Sequence, residues 1–144
     1  MKKLEAAAVA LVFVAILVVV FVPRTIRTIS LHRAENRWND ASVDNYTWSI
    51  DTGCFGACTN GTPIVIVVRD GKPVHVSGRR AASIEGTPMT VERLFRSVGR
   101  EVGADAYAVA FDPELGFPTE GHFDPSRGSQ DDEWGFTVAG LHRD

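Results

Sequence analysis

Cys54 and Cys58 are the only two cysteines in the 144-residue chain, and their spacing is the first place where chemistry could reside. On an extended chain four residues put Cα atoms about 13 Å apart, whereas a disulfide needs about 4.4 to 6.8 Å. Phe55-Gly56-Ala57 must therefore turn back, which Gly56 and the preceding Gly53 permit. The expectation is a structural disulfide that fixes a bulge between two strands and restrains the unfolded chain by about 2 kcal/mol. Zinc held with histidine partners, thiol–disulfide exchange and two free thiols are the alternatives. Exchange chemistry favours two intervening residues at a helix N-terminus, and here there are three.

The four histidines, His32, His75, His122 and His142, fall at no metal-ligand spacing. His75 alternates with Val74 and Val76, which predicts a polar strand face, and His122 beside Gly121 reads the same way. Acids concentrate in the last third: Asp112, Glu114, Glu120, Asp124, Asp131, Asp132 and Glu133. They read first as turn-forming and solubilising groups. Calcium binding by Asp124, Asp131, Asp132 and Glu133 is a second reading, although no D-x-[DN]-x-[DN]-G loop is present. A third pairs His75 and His122 with the acids of 112–133 as the general acid and base of a metal-dependent hydrolase. No serine lies in G-x-S-x-G or S-x-x-K, and no phosphate-binding glycine loop occurs. No cofactor is implied.

Composition narrows the partners. Net charge is −3, charged residues make up 23% and aromatic residues 9%, ordinary values for a folded chain. The arginines are scattered, so the clustered cations that nucleic acid requires are missing.

Residues Ala6 to Val22 form an unbroken apolar run of 17 residues. As helix it would span about 25 Å. A core helix would carry a polar face, and a cleaved signal would close on small residues; the exit here reads Val20-Phe21-Val22-Pro23-Arg24. The expectation is an uncleaved transmembrane signal anchor over 1–23. Lys2 and Lys3 precede the run, while Arg24 and Arg27 follow it, so the positive-inside count is nearly balanced. The short lysine head and the cysteine pair both favour an extracytoplasmic domain. The chain then divides into the anchor, a juxtamembrane stalk (24–30), a small α+β domain (31–141) and a tail (142–144).

Within that domain the elements read in the order α-β-β-β-α-β-β-β. Leu31, Ala34, Trp38 and Ala41 predict a helix over Thr28–Ala41, and Tyr46, Trp48 and Ile50 a strand over Asn45–Asp51. Gly53 to Cys58 reads as a turn. Asp70-Gly71 between two β-branched runs, Ile64–Val68 and Lys72–Val76, predicts a type I′ hairpin. Thr90 caps a helix with Val91, Leu94, Phe95, Val98 and Val102 on one face and Gly103 at a left-handed cap. Strands follow over 106–111, over Phe117–Asp124 (interrupted by Pro118 and Gly121) and from Trp134. Links this short predict a mostly antiparallel sheet with both helices on one face.

One ordered set of motifs resembles a known family. Trp38, Asn45-Tyr46-Thr47-Trp48, the Cys54/Cys58 pair, Val65-Ile66-Val67-Val68-Arg69-Asp70-Gly71, Thr90-Val91-Glu92-Arg93-Leu94-Phe95 and Phe111-Asp112 with Gly116-Phe117-Pro118-Thr119 occur in sequence. This pattern is similar to the bacterial domain-of-unknown-function family 6174, found on exported proteins and lipoproteins. Two features depart from it: three residues separate the cysteines where the family pair is tighter, and a membrane helix stands in place of a lipobox. The resemblance covers residues 31–141 and implies an envelope location and a small sheet-and-helix domain; it brings no activity and no catalytic residue. The expected function is a non-enzymatic, membrane-anchored module that binds an envelope protein partner. Its alternatives are the hydrolase above and a small-molecule pocket under Trp38, Phe95 and Trp134.

Overall fold

The computed structural model describes residues 23–54, 63–78, 90–129 and 132–144. Helix α1 occupies residues 23–41 and buries Leu31, Ala34 and Trp38, the stripe at spacings of three and four. It closes on Ser42, whose φ of 49° breaks the helix and whose N–H bonds back to the Asn39 carbonyl at 3.1 Å. The helix is longer at its start than the predicted Thr28–Ala41, because the expected stalk (24–30) is itself helical and docked on the domain.

Strand β1 (Tyr46–Cys54) alternates as predicted, with Tyr46, Trp48 and Ile50 buried. It runs three residues past the expected end at Asp51. Gly53 and Cys54 are strand and not turn, because the last strand continues to pair beside them, Gly53 with Gly135 and Cys54 with Trp134. Cys58, the side chain of Cys54 and the expected membrane run 6–22 lie outside the described residues. The hairpin of β2 (Ile64–Arg69) and β3 (Lys72–Ser77) turns through Asp70 at φ 49° and Gly71 at φ 67°, the two positive values that a type I′ turn requires. Its tip is fastened to the α1–β1 link: the Gly71 N–H donates to the Asp44 carbonyl at 3.0 Å and the Asp70 N–H to Asn45 Oδ1 at 3.1 Å.

Helix α2 (Val91–Arg100) starts at Thr90, whose Oγ1 accepts from the Arg93 N–H at 3.3 Å. Its end differs from expectation. Gly103 adopts no positive φ; the helix tightens into a 3-10 turn, Glu101–Gly103, and the Ala104 N–H closes that turn on the Glu101 carbonyl. Strands β4 (Ala106–Phe111), β5 (Pro118–Asp124) and β6 (Trp134–Arg143) complete the chain. Two residues of the expected tail at 142–144 are drawn into β6, His142 opposite Thr47 and Arg143 opposite Tyr46, and Asp144 follows the strand. Gly121 does not interrupt β5. The Phe136 ring of the neighbouring strand lies where its Cβ would stand, so glycine is what permits the packing.

The fold is α+β with a six-stranded antiparallel sheet and two helices. Chain order does not carry over to sheet order. The strands lie β3-β2-β1-β6-β5-β4, so β6 enters the middle and α2 carries the chain from one edge to the other. Buried residues of both helices form one cluster with Tyr46, Trp48, Ile50, Ile66, Val68, Phe123 and Phe136 from the sheet. The other sheet face bears no helix among the described residues, and Ala108, Ala110, Glu120, His122 and Thr137 are exposed on it.

Candidate functional site

Where α1 ends and α2 begins, side chains from three elements meet. Trp38, in the last turns of α1, is buried edge-on against Tyr46 at 5.4 Å between ring centroids and against Phe117 at 6.2 Å. Its indole Nε1–H donates to Glu92 Oε1 at 2.8 Å. Tyr46 Oη accepts from the backbone N–H of Val91 at 2.9 Å, satisfying an otherwise orphaned donor of the α2 N-terminus. Burial holds the Tyr46 phenol far above the usual tyrosine range, and the charge of Glu92 pushes the same way against the Val91 bond. Glu92 sits in the first helical turn, where the macrodipole favours a negative charge.

Beside this junction is an open cleft of about 190 Å³, lined by Trp38, Asn39, Ser42, Val43, Asp44 and Glu92. Trp38 and Val43 supply an apolar floor. Two carboxylates, an amide and a hydroxyl ring it, an arrangement rich in acceptors that suits an amine or guanidinium with an apolar stem. The cleft is too small and open to enclose a drug-sized ligand. Neither Phe95 nor Trp134 lines it, so it is not the pocket expected under Trp38, Phe95 and Trp134.

The expected hydrolytic set does not assemble. His75 is exposed on β3 opposite Val67, and His122 is exposed on β5 opposite Ala108 and Gly135. Four strand spacings separate β3 from β5 in the sheet, about 19 Å. Asp112 forms a turn instead: its Oδ1 accepts from the N–H groups of Glu114 and Leu115 at 3.0 and 2.7 Å. Asp105, just before β4, accepts from the Arg127 N–H at 3.0 Å and so ties in the loop after β5. Asp124, Asp132 and Glu133 are half-buried, and Asp131 lies outside the described residues. Among the described residues no three His, Cys, Asp or Glu side chains come together as a metal site.

Sequence reasoning put Trp38 on the apolar stripe of the first helix and the cap of the second at Thr90, but it missed the bond between Trp38 and Glu92. Ser42 and Asp44 were overlooked too; the only local signal is that a polar Asn-Asp-Ala-Ser-Val-Asp stretch follows an apolar stripe.

No curated protein and no solved structure matches the chain. The model of a family of unknown function, DUF6174, matches residues 30–143, from α1 to the end of β6, and the chain belongs to that family.

Proposed function

We propose that the chain is a membrane-anchored, extracytoplasmic domain of the bacterial cell envelope that works by binding a protein partner without catalysis. The observation that carries this reading is the continuity of α1. The helix is present at Pro23, the residue directly after the apolar run 6–22, and it reaches the core through Leu31, Ala34 and Trp38. Whatever holds the run therefore holds the domain, through a helix and not through a loose linker. The acceptor-rich cleft at the far end of α1 is the surface presented to the partner, and a lysine or arginine side chain is the group it best accommodates.

Fractionation tests the first half. The full-length chain should stay in membranes through alkaline carbonate, and a phosphatase joined to its carboxyl end should be active only outside the cytoplasm. A reporter active in the cytoplasm would sink the location and, with it, the oxidising space expected for Cys54 and Cys58. The second half is tested by a photocrosslinker at Ser42 in cells. One discrete protein adduct, lost when Asp44→Ala is introduced, is expected; adduct formation indifferent to that change would remove the cleft from the account.

A further inference from the structure

Two large apolar side chains stand open to solvent at the start of α1. Ile26 is 61% exposed and Ile29 45%. Three residues apart, they share one helix face. The facing side is fastened to the domain. Arg27 Nη1 donates to the carbonyls of Ala104 at 2.9 Å and Val102 at 3.3 Å, and its guanidinium stands over the Tyr107 ring at 5.0 Å. Arg24 runs beside Gly103, its Nε 4.0 Å from the position of a Cβ there, and Leu31 packs near Gly99 at 3.6 Å by the same measure. The first two turns of α1 are thus held against the α2 end, and the isoleucines are held outward.

The apolar run that precedes them is short. As helix, residues 6–22 cover about 25 Å of a hydrocarbon core of roughly 30 Å. Ile26 follows Val22 by four residues, about 6 Å of helix, and Ile29 by seven, about 10 Å. With all of the shortfall of about 5 Å on this side, the first falls at the edge of the hydrocarbon and the second within the headgroup layer, roughly 5 to 8 Å deep on each side.

We infer that the first two turns of α1 form a membrane seat, in which Ile26 and Ile29 contact lipid and Arg24 reaches lipid phosphate. The inference rests on reading residues 6–22 as a bilayer anchor. It adds an orientation: the 3-10 turn and the start of β4 lie at the bilayer surface. The cleft at Ser42 stands about 24 Å further along α1 than Ile26.

The test uses the full-length chain in vesicles of phosphatidylcholine and phosphatidylglycerol, with a benzophenone amino acid at position 26, 29 or 74. Val74, on the edge strand β3, is as exposed as Ile26 at 61% and serves as the control. Lipid adducts should form from 26 and 29 and be near background from 74. A flexible Gly-Ser insertion between Val22 and Pro23 should lower both adducts to the level at 74. Protein–protein adducts from 26 and 29 would mean that a second copy covers this face, and the seat would fall while the anchor stands. The seat also falls if a carbonate-resistant protein gives no lipid adduct, or if adducts survive the insertion. Loss of the protein from membranes in carbonate would overturn anchor and seat together.

Discussion

The two ends of α1 are held by different physics. At the far end Trp38 is buried among aromatic rings and donates to Glu92, while the Ala34 carbonyl presses so near Gly116 that a Cβ there would collide with it. At the near end Arg27 donates two hydrogen bonds to the domain, and the isoleucines face outward. Burial of apolar area holds the first end, and polar contacts on a partly open surface hold the second. The difference teaches that one helix can be a core element at one end and a surface-held arm at the other, provided that its buried stripe stops at Leu31.

Substitutions at each end sharpen that contrast. Trp38→Ala should cost about 3 to 5 kcal/mol by urea denaturation, since it empties the aromatic junction and strips Glu92 of its donor. Tyr46→Phe should cost about 1 to 3 kcal/mol by leaving the Val91 N–H buried without an acceptor. It should also change the alkaline limb of stability. Because burial raises the folded phenol above its unfolded value, the wild-type stability is complete below about pH 10 and falls as pH rises beyond it. Tyr46→Phe flattens that fall, and Tyr107, raised by burial with Arg27 opposing, leaves the remaining slope.

Arg27→Ala should cost about 1 to 2 kcal/mol and speed amide exchange over residues 24–30 while leaving 34–41 unchanged. Equal acceleration at both ends would show that α1 opens as one unit and erase the distinction. The smallest effect belongs to Ile26→Ser with Ile29→Ser, which should move detergent-phase stability by no more than about 0.5 kcal/mol, because neither side chain is buried. A larger loss would place these residues in the core and not on the surface.

Local physics made much of this legible. Asp70-Gly71 predicts its turn because few residue pairs tolerate two positive φ values, and Leu31, Ala34 and Trp38 mark a helix by period. Thr90 announces α2 through its cap. What stayed hidden depends on contacts distant in sequence. Gly121 looks like a strand breaker until the Phe136 ring beside it is known, and Cys54 looks like a turn residue until Trp134 is found opposite. Gly103 carried a left-handed signal that the 3-10 turn made unnecessary. The candidate site was the least legible part, because the Trp38–Glu92 bond spans 54 positions and neither residue carries a motif that names the other.

The place of β6 in the sheet has a consequence for how the molecule is made. Take it away and β3-β2-β1 has no hydrogen-bonded link to β5-β4, so two ribbons remain where one sheet should be. All five other strands emerge from the ribosome before it. Until Trp134–Arg143 has been made the two ribbons lack the strand that joins them, so the sheet can close only at the last step of synthesis.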